Sequence, residues 1–171
     1  MKLDSYHPTV ATILSLISQH TMWHEIFEHK PVRTSEEAAA VRTGYSLEQG
    51  AKALIIRVKK NATQKFFVMV VLAGDKKFDS KKVTKLLNAK SIRFATVDEV
   101  TQITNGVQVG GVPPFGKLFS IPTYLDVSIS AQDKIIFNAG DRSLSVALST
   151  KDYLQLNPPE KIIDVTDDTT K

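Results

Sequence analysis

Apolar residues recur at Val10, Ile13, Leu14 and Ile17, the spacing of one helical face. His7-Pro8 precedes them, and proline suits a first helical turn, so this pattern predicts a helix over residues 8–20. Loose alternation from Met22 to Glu28 predicts a strand that stops before Pro31. Thr34-Ser35-Glu36-Glu37 reads as a capping box opening a short helix through Val41, closed by Gly44. Two β-prone apolar runs follow, Ala53–Ile56 and Phe66–Leu72. The polar segment Lys59–Gln64 separates them, which predicts a hairpin. Asp79 or Ser80 caps a helix carrying Val83, Leu86 and Leu87, and Ile92–Ala95 suits a short strand. Thr96-Val97-Asp98-Glu99 is a second capping box, and Gly106 ends its helix. Past a glycine- and proline-rich stretch, Thr123–Ser128, Lys134–Asn138 and Leu144–Leu148 read as strands. Ser149 caps a last helix with Tyr153, Leu154 and Leu156, and Ile162–Val165 is a candidate closing strand. Helices and strands intermingle without strict βαβ alternation, so a mixed α/β fold is expected, with helices packed around a mixed sheet.

The 171 residues suit one domain over 1–171, with a polar tail from about residue 166 expected to be mobile. No apolar run approaches the length of a membrane span, and the first residues lack the apolar core of a signal peptide. Cysteine is absent, which excludes disulfides, a thiol nucleophile and thiolate metal sites, and makes a cytoplasmic setting the expectation. Charge is unevenly placed. From Lys52 to Arg93 there are twelve basic and two acidic residues, a net +10, while the rest of the chain carries −6. That asymmetry suits a polyanionic partner such as RNA, although a solvated lysine-rich face would look the same.

The chemistry available is narrow. All four histidines lie within the first 30 residues, and no GxSxG elbow exists to receive one. His20 and His24 would share a metal only on one continuous helix, and Met22-Trp23 reads as the start of a strand, so no metal site is assigned. Neither GxxxxGK[ST] nor GxGxxG is present, and no cofactor is implied. A lysine, backbone amides and small polar groups remain. They are a thin kit for an amide but sufficient for an ester, whose leaving group is better.

Two features could supply that chemistry. Gly110-Gly111 can bring backbone N–H groups close to one oxygen, because no Cβ intervenes. Val112-Pro113-Pro114-Phe115-Gly116 stiffens the exit, and Phe115 could wall a small pocket; a plain turn is the alternative. Lys52, at the start of an apolar strand, could reach into a cleft and hold a phosphate or carbonyl oxygen, against the commoner strand-edge solubility role.

These residues resemble the YbaK family, also called the prolyl-tRNA-synthetase-associated editing domain. Thr34–Ala39, Gly50–Ile55, Gly74–Asp79 before Lys82, Gly106–Gly116, Tyr124–Asp126 and Asn138-Ala139-Gly140 occur in family order, and the resemblance runs from about Thr34 to Leu156. It implies a strongly curved, barrel-like mixed sheet with surrounding helices. It also implies a trans-acting aminoacyl-tRNA deacylase acting on a misacylated tRNA, tRNA(Pro) before others, with a prolyl-tRNA synthetase as a possible partner and no membrane. By the same resemblance Lys52 contacts the terminal adenosine or its phosphate. Gly110 and Gly111 hold the aminoacyl carbonyl, and a ribose hydroxyl of the tRNA helps activate water. Thr34 and the Asn138-Ala139-Gly140 turn form part of the amino-acid pocket, with Val112, Pro113, Pro114 and Phe115 beside it. Ala139 stands where alanine-clearing members often carry histidine. Ser145 stands where cysteine-clearing members often carry aspartate. Serine or threonine is therefore a live substrate. The rival reading is a non-catalytic tRNA- or synthetase-binding paralogue; a part in a larger synthetase assembly is a third.

Overall fold

The computed structural model describes residues 2–167. In chain order the elements are α1 (Pro8–Gln19), β1 (His24–Glu28), α2 (Ser35–Val41), β2 (Ala51–Lys59), β3 (Lys65–Ala73), α3 (Ser80–Leu86), β4 (Ser91–Phe94) and α4 (Val97–Ile103). There follow β5 (Thr123–Asp126), α5 (Val127–Ser130), β6 (Lys134–Asp141), β7 (Leu144–Ser149), α6 (Thr150–Leu156) and β8 (Lys161–Ile163). Both predicted capping-box threonines cap their helices. Thr96 Oγ1 accepts from Glu99 N and the Glu99 carboxylate accepts from Thr96 N, a reciprocal capping box. Thr34 Oγ1 accepts from Glu37 N, but the Glu37 carboxylate reaches one residue further back, to Arg33 N at 2.7 Å.

The strands form two sheets, ordered β1-β7-β6 and β4-β2-β3-β5-β8. This differs from the single strongly curved, barrel-like sheet that the resemblance implied. β2 pairs with β3 along its length and with β4 over Ile56–Lys59, while β6 pairs with β7 and forms the edge of its sheet. A parallel backbone bridge, Gly50 with Ile136, links the two sheets, with Ile136 N donating to Gln49 O at 2.9 Å. That junction sits beside the candidate site.

The hairpin β2–β3 is in continuous antiparallel register from Ala51–Ala73 to Lys59–Lys65. Side chains alternate across a sheet, so the unbroken apolar run of β3 serves two cores. Met69, Val71 and Ala73 face α1 and the three-stranded sheet, among Ile13, Ile17, Phe137 and Val146. Val68, Val70 and Leu72 face Val83 and Leu87 of the α3 region and Val165. The predicted strand 123–128 is shorter than expected, because the Asp126 side chain accepts from Ser128 N and turns the chain into α5. Asp126 also accepts from Val165 N at 2.8 Å, Thr166 bridges Phe78, and Asp167 N donates to Lys77 O. The polar C-terminal stretch is thus tied down as far as Asp167; the rest of the expected tail, 168–171, lies outside the described residues. No helix among the described residues is long and apolar enough to cross a membrane.

Phe115 is 1% exposed and meets Phe137 and Tyr153 edge-on, each at 5.4 Å between ring centroids. It is a core residue, not a pocket wall. Phe115→Ala is expected to destabilise the fold by about 3–5 kcal/mol through lost burial and the cavity left behind. Denaturant unfolding checks this; a loss under about 1 kcal/mol would show the ring to be dispensable.

Candidate functional site

A cavity of about 270 Å³ opens where α2, the start of β2, the glycine loop and β6 converge. Its lining includes Arg33, Thr34, Arg42, Gly50, Lys52, Val109, Gly110, Val112 and Asn138. Lys52 and Gly110, 58 positions apart in sequence, therefore border the same cavity.

Lys52 continues the row of Leu54, Ile56 and Val58 along one face of β2, opposite Leu72. Its ammonium donates to the carbonyls of Gly74 and Lys76, on either side of Asp75. Burial pulls its pKa below the usual lysine range, while the nearby charges of Glu36 and Asp75 pull the other way. The result is a half-buried cation fixed at the strand's end rather than a solubility lysine. An ammonium has three protons, and two meet carbonyls, so one remains for a ligand.

The glycine loop is pinned to the β6–β7 hairpin by three successive carbonyls. Val109 O accepts from Arg142 Nε at 2.7 Å, Gly110 O from Asn138 Nδ2 at 2.7 Å, and Gly111 O from Gly140 N at 3.0 Å. Gly110 adopts φ +90, which L side chains disfavour, and a Cβ there would stand 3.3 Å from Arg33 O. Gly140 takes φ +105, and a Cβ on it would meet Thr9 Cβ at 2.7 Å, so glycine lets the hairpin pack on α1. The two loop glycines are not equivalent. Gly111 is buried and its N–H donates to Gln108 O at 2.8 Å, closing a turn. The amides of Gly110 and Val112, both at the cavity, have no protein acceptor among the described residues.

Of the other expected pocket residues, Thr34, Val112 and Asn138 are at the cavity. Pro113, Pro114 and Phe115 turn into the core, where Pro114 O accepts from Tyr153 Oη at 2.7 Å and Asn157 Nδ2 at 3.1 Å. Ala139 follows Asn138 on the strand, so it faces the opposite side and is fully buried in the core. Ser145, also fully buried, lies behind the cavity wall.

What covers Ser145 is a residue that no motif flagged. Arg42 is 6% exposed; its Nε donates to Ser145 Oγ and its Nη2 to Asn138 Oδ1, both at 3.0 Å. Among the described residues no carboxylate pairs with it, and burial brings its pKa down to about 10, leaving it charged at neutral pH. The signal was its position four residues after Ala38, on that short helix's buried side.

His29 completes the cluster. Its Nδ1 lies 2.9 Å from Lys30 O and its Nε2 lies 2.8 Å from Ser145 Oγ. A carbonyl only accepts, so Nδ1 carries the proton, and the bare Nε2 of a neutral ring shares the one Ser145 hydroxyl proton with Asn138 Oδ1, 3.0 Å from Ser145 Oγ. This Ser–His contact is not an exposed nucleophile, since Ser145 is buried and already accepts from Arg42. Burial, with the charge of Arg42 adding to it, lowers the His29 pKa; the Lys30 carbonyl and Asp141 oppose the shift. A depressed histidine pKa means that the unfolded chain takes up its proton first. Stability should therefore decline as pH falls below about 6.5 and level off once the folded imidazole is protonated. Urea unfolding from pH 7.5 to 5 checks this. His29→Gln should flatten the slope, and an identical slope in both proteins would remove the residue from the account.

The family model for the aminoacyl-tRNA editing domain matches residues 29–156. This chain belongs to that family. The match spans the cavity and everything that builds it. The multifunctional Ser/Thr-tRNA deacylase ProXp-y of Escherichia coli K12 is 32% identical over 151 residues, covering 88% of this chain and 89% of the relative. The proline–tRNA ligase of Bacillus licheniformis is 35% identical over 104 residues, covering 60% of this chain and 17% of the ligase. A solved structure of a proposed trans-editing enzyme for prolyl tRNA synthetase superposes with a TM-score of 0.77 at 23% identity, covering 94% of this chain and 98% of the other. That likeness concerns the fold. As an editing domain, the chain is a hydrolase of aminoacyl-tRNA esters.

Proposed function

We propose that this editing domain acts in trans and clears serine or threonine wrongly esterified to tRNA, with tRNA(Pro) the first candidate. The observation that carries the reading is the shared cavity: Lys52 lines it together with Gly110 and Val112, whose amides have no protein acceptor among the described residues, in a chain of the editing family. The activity for which the E. coli relative is named supports the hydroxyl-bearing amino acids, and the matches to proline–tRNA ligases support tRNA(Pro).

In this reading the Lys52 ammonium holds the 3′ end of the tRNA through its remaining proton. The Gly110 and Val112 amides meet the ester carbonyl oxygen and stabilise it as it becomes an oxyanion. A water aligned by a terminal ribose hydroxyl attacks the carbonyl carbon. The tetrahedral intermediate then collapses, the ester C–O bond breaks, and the departing ribose oxygen takes a proton. Free amino acid and intact tRNA result. No side chain at the cavity is placed as general base, so the substrate's own hydroxyl carries that role. The lysine-rich grooves around Lys81, Lys85 and Lys90, and around Lys59, Lys65 and Arg93, offer phosphate contacts for the acceptor stem.

The test is a panel of tRNA(Pro) carrying serine, threonine, alanine, cysteine or proline. Release of serine and threonine, with prolyl-tRNA(Pro) spared, is expected. Binding of the tRNAs without release of any amino acid would favour the non-catalytic paralogue instead.

A further inference from the structure

Arg42 poses a physical problem that the mechanism does not use. It is a buried cation whose partners, Ser145 and Asn138, are neutral. A guanidinium has five N–H donors, and these partners engage the Nε proton and one on Nη2. The Nη1 protons and the second Nη2 proton have no protein acceptor among the described residues. Nη1 sits at the cavity wall, 3.5 Å from where a Cβ on Gly50 would stand, and Arg42 and Gly50 both line the cavity. Nη1 is not shut off from solvent, so this edge of the guanidinium is open to whatever occupies the cavity, water or a ligand. The fork is also held in place. Asn138 is oriented by its own bond to Gly110 O, so the loop, the amide and the guanidinium form one chain of contacts.

We infer that Arg42 is a specificity-determining residue: the unused edge of its guanidinium donates to an oxygen on the side chain of the esterified amino acid, selecting hydroxyl-bearing residues over apolar ones of the same size. This rests on the deacylase reading above. Serine and alanine differ by that one oxygen. An apolar pocket separates such a pair weakly, whereas donors aimed at the hydroxyl penalise its absence, because an apolar side chain displaces the water that otherwise meets them and leaves them unpaired. The same connection through Asn138 couples occupancy of the side-chain subsite to the position of the Gly110 carbonyl, and so to the loop that faces the ester.

The experiment compares kcat/KM on seryl- and alanyl-tRNA(Pro) for the wild type, Arg42→Lys and Ser145→Ala, with thermal unfolding of each protein alongside. The wild type is expected to favour serine by about 100-fold or more. Arg42→Lys keeps the charge but loses the fork, and should shrink that ratio at least tenfold, mainly by slowing the seryl reaction. Ser145→Ala keeps the guanidinium but frees its Nε, and should shrink the ratio severalfold; it serves as the readout if Arg42→Lys does not fold. A merely structural role would lower both rates together and leave the ratio alone, and that result overturns the inference. A wild type that releases both amino acids equally overturns it too while leaving the deacylase reading intact. Release of neither overturns both.

Discussion

Replacing Lys52 by alanine should cut kcat/KM for release of the esterified amino acid at least tenfold, about 1.4 kcal/mol of transition-state stabilisation or more, with the fold retained. The ammonium is held at the end of β2 by the carbonyls of Gly74 and Lys76, and it lines the cavity with Gly110. Removing it deletes the one lysine at the cavity among the described residues and with it the proposed grip on the 3′ end. Retention of the fold follows from position. Lys52 lies beyond the apolar row of Leu54, Ile56 and Val58, and alanine suits the strand well enough to leave the β2–β3 register in place. Lys52→Arg should not restore full activity, because a planar fork cannot occupy the space of a compact ammonium between two carbonyls. Deacylation kinetics and a thermal melt on the same preparations decide the matter. Wild-type turnover in a folded Lys52→Ala protein would contradict the assignment.

Gly110→Ala should be the second severe lesion, lowering kcat by about 100-fold. Two effects act together. At φ +90 an alanine is strained whatever space surrounds it, and its Cβ would press within 3.3 Å of Arg33 O. The loop must shift to relieve both, and the Gly110 and Val112 amides shift with it. A displacement of even 1 Å at an oxyanion site is expensive in rate. The neighbouring position provides the contrast. Gly111 is not at φ > 0, its N–H is already engaged with Gln108 O, and its surroundings are hairpin backbone. Gly111→Ala should therefore act on stability more than on the chemical step. Equal kcat losses at both positions, with equal loss of thermal stability, would show that the loop is only a structural turn.

Local chemistry was legible in the sequence. The apolar stripe of α1, the caps at Thr34, Asp79, Thr96 and Ser149, and the β2–β3 hairpin are all set by residues within a few positions of one another, so pattern alone reaches them. Lys52, Thr34, Gly110, Val112 and Asn138 are singled out by the sequence and converge on one cavity. Long-range relations were not legible. Phe115 follows two prolines in a glycine-rich loop, and nothing local reveals that Phe137 and Tyr153 wait to enclose it. Ala139 and Asn138 were assigned to one pocket, but strand alternation sends them to opposite faces. Arg42 carries no motif; its importance comes from being covered, through contacts with Ser145 and Asn138 about a hundred residues away. The division of the strands into two sheets depends on which distant strands β2 and β6 pair with, which no single segment records.

The most direct test mixes the purified protein, in excess, with tRNA(Pro) carrying radiolabelled serine and follows free serine against intact ester in a single turnover. The account predicts prompt release with first-order kinetics, lost in Lys52→Ala and preserved in a variant altered only at the exposed residue Lys151. Ester that decays no faster with protein than without it would contradict it.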